Sequence, residues 1–371
     1  MTGRRLSAIV LAAGEGSRMR STRPKPLHLL CGRAMVLYVL DALPKPEIDR
    51  AVIVVGHGAE QVTKKLMEDG AGLRLEFVEQ HHQRGTGDAV AVGLGGLPED
   101  DLDDDDDDVL VLPGDTPLLR AETVAELVAE HRLSGAACTI LTSIMDDPTG
   151  YGRIVRVGKD ERIARIVEET DADPDEREID EINTGIFCFR RSLLSPALRR
   201  IHPDNAQGEL YLTDVVEVLA EAGHKVLSVV ARDGTETQGI NDRAQLAAAE
   251  ADLRARTNRA WQALGVTMVD PTSTYLDAAV TLSPDVTLFP GTILQGRTTI
   301  GAGVEIGPGC RLVDCTVGEH STLEHTIARR SEIGADCQVG PYAVLEPGTQ
   351  LSAGTRTGPF YTGGTTTGVD G

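Results

Sequence analysis

Aromatic side chains are scarce in this chain: five Phe, six Tyr and one Trp among 371 residues. Burial must therefore rest on aliphatic residues and alanine, with glycine taking 40 positions. Basic residues are outnumbered, 36 Lys and Arg against 57 Asp and Glu, for a formal net charge of −21. That balance argues against general binding to nucleic acid or anionic lipid. The hydrophobic share of 41% equally excludes a disordered polyanion. No apolar run approaches the roughly 18 residues that a membrane helix needs, so no membrane partner is expected. Cysteine is sparse, at 31, 138, 188, 310, 315 and 337, with no C-x-x-C pair. This is no disulfide scaffold; the thiols read as small core residues in a reducing cytoplasm. One stretch resembles a leader, Arg4-Arg5 ahead of Leu6 to Ala13. It is short, and it runs into Gly14-Glu15-Gly16 and then Arg18, Arg20, Arg23 and Lys25. A buried strand feeding a phosphate loop accounts for it better than a signal peptide.

The length suits two to three domains at roughly 150 residues each. Up to about residue 240, short aliphatic runs alternate with amphipathic stretches. Strands are expected at 7–12, 51–55, 73–78 and 109–112, with helices near 34–43, 59–69 and 87–95. Uninterrupted aliphatic strands alternating with helices imply an α/β domain with a parallel sheet covered on both faces. More mixed runs at 137–144, 153–157, 162–167, 184–189 and 225–231 suggest added antiparallel pieces. A long helix is expected over 241–264, with Asn241 as its cap. After it the period becomes six: Leu282, Leu288, Leu294, Ile300, Ile306 and Leu312, then Val317 and Leu323, then Ile327, Ile333, Val339, Leu345 and Leu351. Six is the hexapeptide period of a parallel β-helix, each aliphatic residue pointing inward and glycine helping to turn corners. The domains expected are thus 1–240, a linker helix at 241–265, a β-helix at 266–361, and a frayed, low-complexity tail at 362–371. The run Asp103–Asp108 reads as a solvated loop, because like charges in series repel and stay hydrated. His81-His82 is a poor metal pair, since neighbours on a strand point to opposite faces.

Ligands of open α/β sheets bind beyond the carboxyl ends of the strands. The first such end is Leu11-Ala12-Ala13-Gly14-Glu15-Gly16-Ser17-Arg18-Met19, followed by Pro24-Lys25. Glycines let backbone N–H groups approach an anion, Arg18 can fork onto phosphate oxygens, and Lys25 offers a mobile charge. The loop matches neither the P-loop nor the dinucleotide fingerprint. The fourth strand ends in Leu112-Pro113-Gly114-Asp115, where a carboxylate could bind Mg²⁺ carried by a polyphosphate, or simply shape a turn. Gly85-Thr86-Gly87, after Gln80, could let a flat base lie on backbone, or simply start a helix.

Together and in this order, L-A-A-G-x-G-x-R-M…P-K resembles the signature of sugar-nucleotide pyrophosphorylases. PKPLH (24–28), EQHHQRGTGDA (79–89), PGDTPL (113–118), DDPTGYGRI (146–154), EINTGI (181–186), NAQGELYLTD (205–214) and GINDRAQL (239–246) resemble one family more closely. It is that of the bifunctional N-acetylglucosamine-1-phosphate uridylyltransferase / glucosamine-1-phosphate acetyltransferase. The resemblance covers residues 6 to 361. It implies a Rossmann-like nucleotidyltransferase domain with a mixed, mostly parallel sheet, a long helix and a short left-handed β-helix, in a cytoplasmic homotrimer. It implies uridylyl transfer from UTP to N-acetylglucosamine 1-phosphate, with Mg²⁺ as cofactor. By the same resemblance, the backbone of Leu11, Ala12, Ala13 and Gly14 meets the nucleotide. Arg18 and Lys25 would lie on its phosphates, and Gln80, Gly85 and Thr86 would recognise uracil. Asp115 and Asn241 would hold the metal. Gly152, Glu168 and Asn183 would bind the sugar, with Pro113, Gly114, Asp115 and Asn241 beside it.

The chain also departs from that family. Glu346 stands where the family has an arginine, Gly364 where it has a sugar-binding lysine, and no histidine follows His325. No acetyltransferase activity is expected. Pro113 replaces a bulkier residue, and Asp88 stands where histidine is common. Uridylyl or thymidylyl transfer to another hexose 1-phosphate is the alternative within the same class. A silent regulatory subunit and a stand-alone acetyltransferase are the rivals outside it.

Overall fold

Aliphatic runs with little polar interruption form strands that are buried on both faces, and three of them, Leu6–Ala12, Arg50–Val55 and Asp108–Pro113, organise the first unit. In chain order its strands are β1 Leu6–Ala12, β2 Arg50–Val55, β3 Arg74–Glu79, β4 Asp108–Pro113, β5 Cys138–Ile144, β6 Arg153–Val157, β7 Arg162–Val167, β8 Glu181–Arg190 and β9 Val226–Val230. The structure, a computed structural model, describes residues 4–45, 47–48, 50–69, 72–97 and 107–364. Described residues of Met1–His28 and Ala34–Gln245 make up this unit; those of Leu29–Arg33 and Leu246–Gly371 make up a second.

The strand order is β9-β5-β8-β4-β1-β2-β3. Strand β1 pairs in parallel with both β2 and β4, and β3 pairs in parallel with β2. Strand β8 lies antiparallel between β4 and β5, and the β6–β7 hairpin attaches to it. The sheet is therefore mixed but mostly parallel, as the sequence implied. Helices Met35–Asp41, Ala59–Asp69 and Thr86–Gly95 follow β1, β2 and β3. Because side chains alternate along a strand, β1 feeds two cores. Ala8 and Val10 pack with Leu37, Leu40, Leu66 and Leu127 on one face. Ile9 packs with Val54, Val90, Val111 and Val215 on the other. Each buried aliphatic side chain of this size contributes about 1.5–3 kcal/mol.

Two expectations fail in this unit. Asp107 and Asp108 are buried, not solvated. Asp108 lies 3.1 Å from Arg132 Nε and 3.3 Å from His131 Nε2, and Asp107 Oδ1 accepts from the Arg5 backbone N–H. Long-range cations thus offset the repulsion expected within the run; Asp103 to Asp106 lie outside the described residues. Asn241 is also not the cap of the long helix, which spans Arg243–Ala263. Asp242 Oδ1 accepts from Gln245 N at 2.8 Å, and Gln245 Oε1 accepts from Asn241 N at 2.6 Å. The Asn241 side chain is left free for the site described below.

The second unit stacks two- and three-residue strands into three parallel ladders, consistent with a left-handed β-helix. Leu288, Ile306, Leu323 and Val339 line the inside of one ladder, and Leu276, Leu294, Leu312, Ala328 and Leu345 that of another. Ile300, Val317, Ile333 and Leu351 line the third. Gly301, Gly318 and Gly334 share one corner, where a Cβ on Gly318 would lie 2.5 Å from Ala335 N. Glycine is required there by the close approach of successive coils.

Here too two expectations fail. Ile327 is 42% exposed, and Ala328 takes the inward position. Sixteen residues separate Leu312 from its ladder partner Ala328, where eighteen separate Leu294 from Leu312, so the hexapeptide count slips. Thr362–Gly363, expected to fray, pair instead with Val344–Leu345; residues 365–371 lie outside the described residues. Two ladders present Thr, Glu or Gln outward at every strand. The third presents Tyr275, Ile293, Arg311, Ile327 and Val344.

Candidate active site

The carboxyl ends of β1 and β4 are tied together by a hydrogen bond from Gly114 N to Leu11 O, 2.8 Å. Above that junction is a cavity of about 290 Å³. Its lining includes Leu11, Ala12, Ala13, Gly14, Lys25, Gln80, Gly85, Thr86, Pro113, Gly114 and Asp115. Eleven of the sixteen sequence-derived site residues therefore meet in one pocket.

Lys25 is delivered by the turn Pro24-Lys25-Pro26, whose prolines restrict the backbone on both sides of it. Gly16 makes room: it is left-handed, and a Cβ there would lie 2.7 Å from Lys25 Cβ. Lys25 Nζ donates to Asp115 Oδ2 at 2.5 Å and to Asn241 Oδ1 at 2.8 Å. Two oxygens from different parts of the chain thus accept from one cation. Asp115 is held in turn by Ile240 N donating to its carbonyl at 2.9 Å, with Gly239 against its carboxylate. Among the described residues, no group of three or more His, Cys, Asp or Glu gathers around a metal position.

At the opposite wall Gln80 is buried, and its amide Nε2 donates to Asp88 Oδ2 at 2.8 Å and to Gly85 O at 3.3 Å. Gly85 has φ +108°, and a Cβ would strike Leu210 O at 2.5 Å. The Thr86 hydroxyl accepts from Leu212 N at 2.9 Å, so part of its bonding capacity holds the 210–212 segment in place.

Gly152, Glu168 and Asn183 form a second cluster on the β6–β7–β8 flank. Asn183 N donates to Gly152 O at 2.8 Å, and a Cβ on Gly152 would come 3.3 Å from Glu168 Oε2. Thr213 Oγ1 donates to Glu168 Oε1 at 2.9 Å. Burial pushes the Glu168 carboxyl above the usual carboxylate range, and the Thr213 bond opposes that shift. A bulge in β8 between Asn183 and Ile186 brings Gly185 against the Pro113 ring. Tyr151 links this flank to Asp115: burial raises its phenol pKa first, and the nearby Asp115 carboxylate adds to the rise.

Arg18 stands apart, exposed on the turn Ser17–Met19 and outside the cavity lining. Sequence reasoning missed Gln83, which bonds Ala13 O at 2.8 Å, and also Gly16, Tyr151 and Thr213. All four lie inside quoted motifs, so only their roles were hidden.

Comparison with known proteins agrees with this geometry. The nucleotidyl transferase family matches residues 7–267. The bifunctional protein GlmU of Streptomyces avermitilis is 46% identical over 357 residues, covering 95% of this chain and 72% of that protein. The proteins of the same name from Desulfitobacterium hafniense DCB-2 and Mycobacterium tuberculosis H37Ra are 45% and 43% identical, each over 95% of this chain, with 75% and 71% of those proteins covered. With its pocket at the β1 and β4 strand ends and these matches along nearly its whole length, the chain belongs to the nucleotidyl transferase family and, within it, to the GlmU family.

Proposed function

We propose that the pocket joins UTP and N-acetylglucosamine 1-phosphate into UDP-N-acetylglucosamine with release of pyrophosphate, and that the residues above divide the work. The observation that carries this reading is the convergence of Lys25, Asp115 and Asn241 over the Leu11–Gly14 backbone. Leu11 to Gly14 cradle the nucleotide, and Gln80, Gly85 and Thr86 meet the base. Gly152, Glu168 and Asn183 take the sugar, with the backbone of Pro113, Gly114 and Asp115 and the Asn241 side chain beside it. A phosphate oxygen of the sugar phosphate attacks the α-phosphorus in line, and the bond to the β-phosphate oxygen breaks. Two anions must approach each other, so Lys25, and Arg18 reaching in from its turn, offset their repulsion and hold the line of attack.

The oxygens of Asp115 and Asn241 suit Mg²⁺, which prefers hard oxygen ligands and usually arrives on substrate phosphates. When bound, the ion supplies further charge neutralisation at those phosphates. Lys25, Asp115 and Asn241 all being retained argues against a silent regulatory subunit. The six unpaired, buried cysteines suit a reducing compartment, the cytoplasm. The outward ladder with Ile327 and Val344, both exposed, supports assembly into a homotrimer through the β-helix.

Pyrophosphate release measured over a grid of nucleoside triphosphates and sugar 1-phosphates tests the reaction. Fast release is expected only with UTP and N-acetylglucosamine 1-phosphate; equal rates with glucose 1-phosphate would overturn the sugar assignment.

A further inference from the structure

Gln80 can offer a base either the hydrogen-bond donors or the acceptor of its amide, and its neighbours leave no choice. Its Nε2 faces Asp88 Oδ2 at 2.8 Å and Gly85 O at 3.3 Å. A carboxylate and a carbonyl only accept, so the amide nitrogen must point at them and both of its hydrogens are consumed. What remains for the pocket, which Gln80 lines, is Oε1, an acceptor. The amide cannot turn over without setting that oxygen against two other oxygens, inside a wall where Gln80 is 6% exposed.

We infer that Asp88 is a positioning residue for nucleobase choice: it locks Gln80 so that the pocket accepts a base carrying N–H at ring position 3 and rejects one carrying a lone pair there. Uracil and thymine present that N–H; cytosine presents a lone pair, which would face Oε1 unpaired. Asp88 reaches Gln80 because it lies in the first turn of the helix Thr86–Gly95, whose start Gly85 permits through its positive φ. The inference rests on the proposed contact between Gln80 and the base.

The test compares kcat/KM for UTP and CTP in the wild type, Asp88→Asn, Asp88→Ala, Asp88→Glu and Gln80→Ala proteins. In Asp88→Asn, nearly isosteric, the new amide can donate to Gln80 as well as accept from it, so only the longer contact to Gly85 O still opposes the turned-over amide. The UTP-to-CTP ratio is expected to fall at least about tenfold in Asp88→Asn and Asp88→Ala, mainly through KM, and to recover in part in Asp88→Glu. A purely structural role would lower both nucleotides together and leave the ratio unmoved, which overturns the inference. If Gln80→Ala collapses the ratio while Asp88→Asn and Asp88→Ala preserve it, Asp88 alone is wrongly assigned. If Gln80→Ala also preserves the ratio, the reading of Gln80 as a base contact fails with it.

Discussion

Strand β4 carries an aspartate at each end, and the two ends do opposite things. At its start Asp108 is buried among Arg132, His131 and Arg4, and His131 in turn bonds the Thr139 hydroxyl at 2.9 Å. Just past its far end Asp115 pairs with Lys25 and opens onto a cavity. Both sites bring together groups more than twenty residues apart in sequence. The first is closed, with protein cations on several sides of the carboxylate. The second is left incomplete on the side that faces the pocket. A buried carboxylate whose charge is met by protein groups belongs to the fold; one with room for a ligand can serve a reaction.

The widest separation between these ends is expected in turnover. Asp115→Ala and Lys25→Ala should each lower kcat/KM by about 10²–10³-fold, while thermal melts stay within a few degrees of the wild type. Near-normal rates for a folded Asp115→Ala protein at saturating Mg²⁺ would dissolve the contrast. Asp108→Ala should do the reverse. Leaving Arg132 and His131 without their carboxylate should cost about 3–5 kcal/mol in urea unfolding, with kcat of the remaining folded enzyme close to normal. A smaller effect belongs to Glu168→Gln, which should raise KM for the sugar phosphate roughly tenfold by weakening a charge-assisted contact. Its kcat should change less, and an unchanged KM would place Glu168 outside the sugar site.

The smallest effect is a pH dependence. Burial pushes Asp214 up to about 6, with Glu168, Glu217 and Asp171 adding repulsion. Folding therefore favours its protonated form, a contribution present below about pH 4 and lost as pH rises through about 6. Asp214→Asn should melt progressively higher than the wild type between pH 4 and pH 8; a constant difference across that range would contradict the assignment.

Much of this molecule was legible in its residues. The alternation of aliphatic strands with helices placed the sheet, and the ordered loops placed the pocket, because both are local patterns. Asp108 departs from its local pattern because its partners, Arg4 and Arg132, are set beside it only by strand pairing and by the helix Ala121–Ser134. Asn241 resembles a cap because caps and ligands draw on the same residue types, and only the bonds of Asp242 and Gln245 separate the roles. The orientation of Gln80 depends on an acceptor eight residues away, which no spacing rule announces. A strict period places Ile327 inward because it cannot see a shortened coil.

That shortened coil sets a rule for insertion and deletion in this chain. Leu312 and Ala328 still meet as ladder partners although their coil is two residues shorter than the one before, and the next coil, from Ala328 to Leu345, uses seventeen. Length can therefore change at a corner without disturbing the rungs, whereas a single residue added within a rung would turn an inward side chain out to solvent. Tags, sensor peptides or cleavage sites should be tolerated at corners such as that between Asp314 and Cys315, which separates the strands Arg311–Val313 and Thr316–Val317 within the coil whose own length has already varied.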